Sequence, residues 1–170
     1  MENFDKELFE SKVINMVVQY FTAIMKNDLE DVKHFIKEQP LEYGMSIVND
    51  MKEKNRRQMF DELNVRNINI LSTSEDDNNY IYDISLEARY LDYQLDLDSG
   101  EKVSGDDQNR IMKEYELKII KSKNAKEQSN IRRCPGCGAS LDVNYSGKCP
   151  YCGSIYNQED YDYQILEIKE

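Results

Sequence analysis

Two short cysteine frames constrain this chain more than any other feature. They read Cys134-Pro-Gly-Cys137-Gly and Cys149-Pro-Tyr-Cys152-Gly, and residues 138–148 separate them. A C-x-x-C step on a tight turn places two thiolates on one edge of a tetrahedron, so two such steps complete the four-ligand shell that zinc prefers. The proline inside each frame fixes φ, and the glycine after each second cysteine suits positive φ. The pattern predicts one structural Zn²⁺ held by Cys134, Cys137, Cys149 and Cys152 in a short zinc ribbon.

Three other uses of the cysteines have to be weighed against zinc. Four thiolates also hold an iron centre, and four cysteines also form two disulfides or a redox C-x-x-C pair. A redox pair of the thioredoxin type sits at a helix start beside a parallel sheet, and this sequence does not alternate strand with helix. Four thiolates leave no open position for water or substrate, so the predicted site stabilises a fold and does not catalyse.

The remaining chain fits one domain of ordinary size. Its 170 residues divide into an α+β domain at 1–121, a polar linker at 122–131 and a zinc ribbon with a final docking strand at 132–170. The N-terminus lacks the basic flank and apolar run of a signal peptide, and no stretch approaches the length of a membrane span. Thiolate ligands favour a reducing compartment. We therefore expect a cytoplasmic protein, peripheral to the membrane if it contacts one.

Charge argues against most anionic partners. The chain has 33 acidic and 22 basic residues, which gives a net charge of −11 and opposes general binding to nucleic acid or anionic lipid. The segment 118–133 is the exception, since it contains six cations and a single acid, Glu127. These cations either offset the negative charge of a four-thiolate centre or form a phosphate-binding patch, and the first interpretation is favoured.

The first third of the chain has helical periodicity. A long helix is predicted from apolar residues at helical spacing (Val13, Met16, Val17, Tyr20, Phe21 and Ile24). Asp28 resembles the N-cap of a second helix that buries Leu29, Val32, Phe35 and Ile36. Pro40 can open a third, with the stripe Leu41, Met45 and Val48. His34, the one histidine, is expected at a structural or solvent-edge position.

After Arg57 the periodicity becomes that of strands. Even positions from Tyr80 to Tyr90 are apolar, and from Leu91 the odd positions are apolar, so a β-bulge is predicted near 89–92. The sequence predicts a turn at residues 98–101 and a returning strand from Ile111 to Ile119. A weaker first strand is predicted from Leu63 to Leu71. Tyr161, Tyr163 and Ile165 alternate and Ile168 follows, which predicts one last short strand that docks the ribbon. Helices followed by antiparallel strands indicate an α+β fold, with helices covering the concave face of a strongly curved sheet.

Several stretches together resemble a known family. They are Ser11-Lys-Val-Ile-Asn-Met16, Arg89-Tyr-Leu-Asp-Tyr93, Val103-Ser-Gly-Asp106 and the two cysteine frames. The chain is similar to the bacterial zinc-ribbon proteins of the mitochondrial import-motor-tether family, which resembles the C-terminal domain of the forty-four-kilodalton inner-membrane translocase subunit. The resemblance implies a fold like nuclear transport factor two, in which helices form a cone with a pocket over a bent sheet. It also implies a scaffold in protein transport, because mitochondrial relatives hold a chaperone at a translocation channel.

Three classes of function follow from these features. An enzyme using the pocket would need a carboxylate or histidine inside it. The predicted inward positions contain neither, being Tyr80, Tyr82, Ile84, Leu86, Ala88, Tyr90, Ile111, Tyr115, Leu117 and Ile119. A zinc-ribbon regulator that binds nucleic acid is the other alternative, which the acidic charge opposes. We expect a non-catalytic scaffold that binds a protein or an apolar or acyl ligand in the pocket, although the residues do not identify that ligand.

Overall fold

The computed structural model describes residues 4–123, 131–133, 140–142 and 163–170. All four cysteines lie outside these ranges. The described part is an α+β fold in which two helices pack on an antiparallel sheet. This confirms the predicted fold class for the main domain, whereas the ribbon and the predicted limits of the three segments stay predictions.

Helix α1 spans Lys6–Met25 and matches the long helix predicted from the sequence. It begins after Asp5, whose carboxylate accepts a hydrogen bond of 3.1 Å from the backbone N–H of Leu8, the usual way to satisfy a free donor at a helix start. Every residue of its predicted apolar face is buried. Burial of this face against the sheet explains why the helix is stable in this place.

The predicted second helix is wrong. Only a short 3₁₀ turn forms at Glu30–Val32, and Asp28 accepts a hydrogen bond from the N–H of Glu30. The apolar residues predicted there are buried, but the chain becomes extended at Ile36, which forms a parallel bridge with Ile165. Pairing with the sheet edge therefore overrides the helical periodicity.

Helix α2 spans Glu38–Glu53, with Pro40 in its first turn as predicted. Its buried face differs from the predicted stripe. Pro40, Gly44, Val48 and Met51 are buried, while Leu41 and Met45 are only partly buried. Gly44 lies on this face against Leu29, where a Cβ added to it would lie 2.8 Å from Leu29 Cδ1, so a larger residue would force that side chain to move. Within the described residues, no helix has both the length and the apolar character needed to cross a membrane.

The main sheet has five antiparallel strands. They are β1 (Arg56–Glu75), β2 (Asn79–Asp96), β3 (Lys102–Gly105), β4 (Ile111–Ser122) and β7 (Tyr163–Lys169). The order is β1-β2-β4-β7, with β3 also paired to β2. A separate two-stranded ladder joins β5 (Ile131–Arg133) to β6 (Ser140–Asp142). The predicted strands are confirmed, although β1 is longer than the predicted 63–71 and β3 was not predicted.

The predicted bulge lies at the right level of the sheet but on the other strand. The β1–β2 register shifts between Asp61 and Asn64, opposite Tyr90, and Glu62 takes a positive φ of 53° there. In contrast, the β2–β4 ladder runs without a break to its last pair, Tyr90 with Ile111. The change of apolar phase in β2 therefore reflects a change in which face is apolar, not an extra residue in β2.

Strand β7 belongs to the main sheet and fastens the C-terminal end of the chain to it. Tyr163 pairs with Lys121 of β4, so residues 124–162 are an insertion between two neighbouring strands. The Gln39 amide covers the outer edge of β7 by donating to the carbonyl of Ile168 and accepting from its N–H, at 2.9 and 2.8 Å. The two ends of the cysteine segment are therefore held side by side in the main sheet, one by β4 and the other by the predicted docking strand β7.

Candidate functional site

The predicted zinc ligands cannot be placed directly, because Cys134, Cys137, Cys149 and Cys152 lie outside the described residues. What the structure gives is the β5–β6 ladder, in which Arg133 pairs with Ser140. Residues 134–139, which contain the first cysteine frame, connect these strands. Within the described ranges no group of three or more metal-binding side chains lies close enough together to hold an ion.

The inner face of the sheet is an aromatic core. Tyr82, Tyr90 and Tyr115, which were expected to line a pocket, are each buried almost completely. The Phe21 ring of α1 lies 5.5 Å from that of Tyr115 and 4.8 Å from that of Phe60, and the rings of Phe60 and Tyr90 are 5.1 Å apart. These contacts favour the simpler interpretation of the tyrosines, as packing residues.

The hydroxyls of this core bond to each other and to the backbone. The hydroxyl oxygens of Tyr90 and Tyr115 are 3.0 Å apart, and Tyr20 donates to the carbonyl of Pro40 at 2.6 Å. Burial raises the pKa of both Tyr90 and Tyr115, because the phenolate would be desolvated. They therefore stay protonated and cannot serve as bases near neutral pH.

The sequence did not reveal an exposed ionic cluster near Tyr90 and Tyr115. Glu170 Oε1 accepts a hydrogen bond from Lys113 Nζ at 2.8 Å and from the Tyr43 hydroxyl at 3.2 Å. The bond from Lys113 lowers the pKa of Glu170, and the same bond raises the pKa of Lys113. Both groups are held in their charged forms, which suits an ion pair and not proton transfer. The three residues come from distant parts of the chain, so no local pattern signals the cluster.

His34 has the structural or solvent-edge environment that was predicted. The residue is half-buried, and its ring stands edge-on to that of Phe35 at 5.0 Å. Its backbone carbonyl accepts a hydrogen bond from Gln164 of β7. These contacts join the 3₁₀ segment to the sheet and do not build a catalytic site.

An open groove of about 300 Å³ lies along the C-terminal half of α1 and the 3₁₀ turn. Ala23 and Val32 are buried in its lining, and Val18 and Thr22 are half-buried. Its exposed rim carries charges of both signs, from Lys26, Asp28 and Asp31. An apolar floor with a polar rim suits a side chain from another protein. Sequence reasoning missed this groove because it assigned the 3₁₀ turn to a helix.

The basic segment is already engaged where the structure describes it. Lys118 Nζ lies 3.8 Å from Asp83, and Lys123 Nζ lies 3.0 Å from Glu75. Lys121 Nζ stands 5.6 Å from the centre of the Tyr163 ring. These partners favour the interpretation of this part as a structural surface over that of a phosphate-binding patch.

Comparisons with known proteins give a family model and several similar solved structures. A family model described as the Tim44-like domain matches residues 1–128. No curated protein matches the chain. Among solved structures, the chain is similar to the crystal structure of the intermembrane space region of the chloroplast protein ARC6, with 9% identity and a TM-score of 0.47 over 98% of this chain and 96% of that one. At that score the likeness adds nothing to the functional argument.

Proposed function

This chain belongs to the Tim44-like domain family, and from that premise we propose that it is a non-catalytic scaffold that binds a protein partner in protein transport. The observation that carries the proposal is the contrast between the filled aromatic interior and the open groove on α1. The buried tyrosines fill the described interior with their rings, while the groove presents an apolar floor to the surface.

The proposed partner is a protein segment that sits in the α1 groove. We favour this site over an apolar or acyl ligand between helices and sheet, because the rings of Tyr82, Tyr90 and Tyr115 are buried there. The proposed location is the cytoplasmic side of a membrane, peripheral to it. Like-charge repulsion between an acidic chain and an anionic bilayer favours a protein partner as the link to the membrane.

A structural zinc is part of the proposal. The paired C-P-x-C-G frames supply four thiolates, and the β5–β6 ladder supports the choice because its connection contains Cys134 and Cys137. In that position Cys134, Cys137, Cys149 and Cys152 would hold the ion and fold the segment between β4 and β7. Elemental analysis of protein prepared without chelator tests this. One zinc per chain is expected, and iron, or less than about half an equivalent of zinc, would contradict it.

The groove is tested by filling it. Thr22 is half-buried in the groove and its hydroxyl bonds to the Val18 carbonyl of its own helix. Thr22→Trp should block the groove and leave the core unchanged. Ser46→Trp is the matched control, since Ser46 is an exposed hydroxyl on α2 that bonds to the Tyr43 carbonyl of its own helix.

The readout is quantitative capture of proteins from the native lysate by wild type and both variants, with thermal unfolding as a check on folding. Proteins held by wild type and Ser46→Trp but lost with Thr22→Trp support the groove. Identical capture by all three chains would reject it. Turnover of a small molecule that disappears in Tyr115→Phe would reject the non-catalytic role.

A further inference from the structure

One wall of the α1 groove is the 3₁₀ turn Glu30–Val32. Val32 is buried in the groove lining, and its carbonyl accepts a hydrogen bond of 3.1 Å from the N–H of Phe35. A single 3₁₀ turn has few hydrogen bonds of its own, and their geometry is poorer than in an α-helix. The position of this wall therefore depends on what holds the chain that follows the turn.

Strand β7 holds that part of the chain. Ile165 donates its N–H to the carbonyl of Phe35 at 2.8 Å, and its own carbonyl accepts from the N–H of Lys37 at 2.9 Å. The side-chain amide of Gln164 donates to the carbonyl of His34 at 3.0 Å. If β7 left the sheet, the chain after the turn would lose all three bonds, and buried backbone groups without partners are costly. We therefore expect the wall and β7 to move together.

The cysteine segment, residues 124–162, is the covalent path between β4 and its neighbour β7. Two arms of equal length belong to it, 124–133 before the first cysteine and 153–162 after the last. A metal held by both cysteine frames would join the arms and bypass the residues between them, which shortens the path by about half. Strands joined by half the path meet at a lower entropic cost, which favours their pairing by about threefold. Zinc should therefore favour the docked state of β7.

We propose that β7 and the 3₁₀ wall of the groove open as one unit, and that zinc in the cysteine segment keeps this unit in place. The two states are β7 docked in the sheet and β7 released from it. Zinc favours the docked state by shortening the covalent path, and the docked state fixes the wall beside α1. The inference rests on the proposed groove and the proposed zinc, and it adds the regulation of one by the other. Because such coupling is reciprocal, a protein segment bound in the groove should also make β7 open less often.

Amide hydrogen exchange of the full-length zinc-loaded chain, resolved by residue with NMR, tests whether the unit exists. The reporter of the wall is the Phe35 amide, which bonds to Val32 in the turn. Ile168→Val removes one methyl group from a residue of β7 that is almost completely buried, and it should raise exchange across β7 by about two- to tenfold. Exchange of the Phe35 amide should rise by the same factor. The matched control is Ile84→Val on β2, where the isoleucine is equally buried, and it should raise neither.

Removal of zinc with a chelator, verified by elemental analysis, tests the control by the metal. Strand β7 should stay protected without zinc, because its hydrogen bonds to β4 remain. Its exchange and that of the Phe35 amide should nevertheless rise together by about threefold, while exchange in α1 does not change. This rise is much smaller than the loss of protection expected within the cysteine segment itself.

Two results would overturn this inference alone. A Phe35 amide that does not follow β7 in Ile168→Val would show that core packing by itself holds the wall. Exchange in β7 that is unchanged after zinc has been removed would show that the metal does not control the strand. Either result leaves the groove to be judged by the Thr22→Trp variant. A chain that binds no zinc would reject the proposed metal together with this inference.

Discussion

The two faces of the main sheet differ in their residues and in how those residues pack. On the inner face, aromatic rings from α1, β1, β2 and β4 interlock, and even the hydroxyls of Tyr90 and Tyr115 bond to each other. On the outer face, exposed charges pair across the strands, Lys118 with Asp83 at 3.8 Å and Lys169 with Glu116 at 3.3 Å. The inner face serves stability, and the proposed recognition uses outer surfaces.

This difference determines what a ligand would meet at each surface. Binding within the aromatic core would require displacing buried side chains such as Tyr82, Tyr90 and Tyr115. Binding at the α1 groove, as proposed, requires no such rearrangement. The following predictions test this contrast, from the largest expected effect to the smallest.

Metal removal should have a large effect that stops at the boundary of the cysteine segment. A structural zinc site contributes on the order of 10 kcal/mol of folding free energy to a small domain, so a chelator should abolish amide protection between β4 and β7. Protection should persist across Val13–Ile24, Tyr80–Tyr90 and β7, since β7 pairs with β4. Hydrogen exchange with and without chelator measures amide protection in the cysteine segment and in the core. Loss of protection in α1 would show that the ribbon is integral to the core.

Truncating a core aromatic residue should lower the free energy of unfolding far more than truncating an exposed apolar residue. Phe21→Ala removes contacts with Phe60, Tyr90 and Tyr115 and should lower the free energy of unfolding by about 3–5 kcal/mol. Leu97→Ala, at a site that is 42% exposed, should change it by less than about 0.5 kcal/mol. Urea unfolding of both variants provides the numbers. Similar losses of unfolding free energy in the two variants would contradict the conclusion that the inner face provides the stability.

Stability should fall at alkaline pH because of the buried tyrosines. Burial raises the pKa of Tyr115 above its ordinary value of 10.0, so its contribution is complete below pH 10 and is lost as pH rises through the folded-state pKa. Each such tyrosine should remove about 1.4 kcal/mol per pH unit in that window. Tyr115→Phe should make the decline shallower by about that amount in urea unfolding across the alkaline range. An unchanged slope would show that Tyr115 ionises without unfolding.

Removing the amide that covers the edge of β7 should have the smallest effect. Gln39→Ala leaves the N–H and carbonyl of Ile168 without their side-chain partner and should cost about 1–2 kcal/mol. Gln108→Ala is the control, since Gln108 is exposed and its side-chain amide donates a hydrogen bond to the neighbouring Asp107. Calorimetric melting compares the two. An equal change in melting temperature for the two variants would mean that the contact between Gln39 and Ile168 contributes nothing to stability.

Periodicity predicted the parts of the fold that local patterns determine. The face of α1 and the inner row of β2 follow directly from apolar spacing, and both are confirmed. The failures arise from contacts distant in sequence. Ile36 pairs with Ile165, and this pairing ends the expected second helix. The bulge opposite Tyr90 lies on β1, because the pairing of β1 with β2 decides which strand takes the extra residue.

The candidate surfaces were harder to predict than the fold. The α1 groove depends on how the 3₁₀ turn packs, and the cluster of Tyr43, Lys113 and Glu170 joins three distant segments. The sequence carried one further signal, because the apolar phase of β2 changes at Leu91. That signal was interpreted as a bulge, since a single strand does not show whether its backbone or its environment has changed.

Native mass spectrometry of the protein purified from its own host tests the central claim most directly. If the inner face is a closed core and recognition occurs outside it, the spectrum should show the 20.0 kDa chain with one zinc and no small molecule. A stoichiometric apolar or acyl ligand that disappears in the inner-face variant Ala88→Leu, while that variant still melts as a folded protein, would contradict the account.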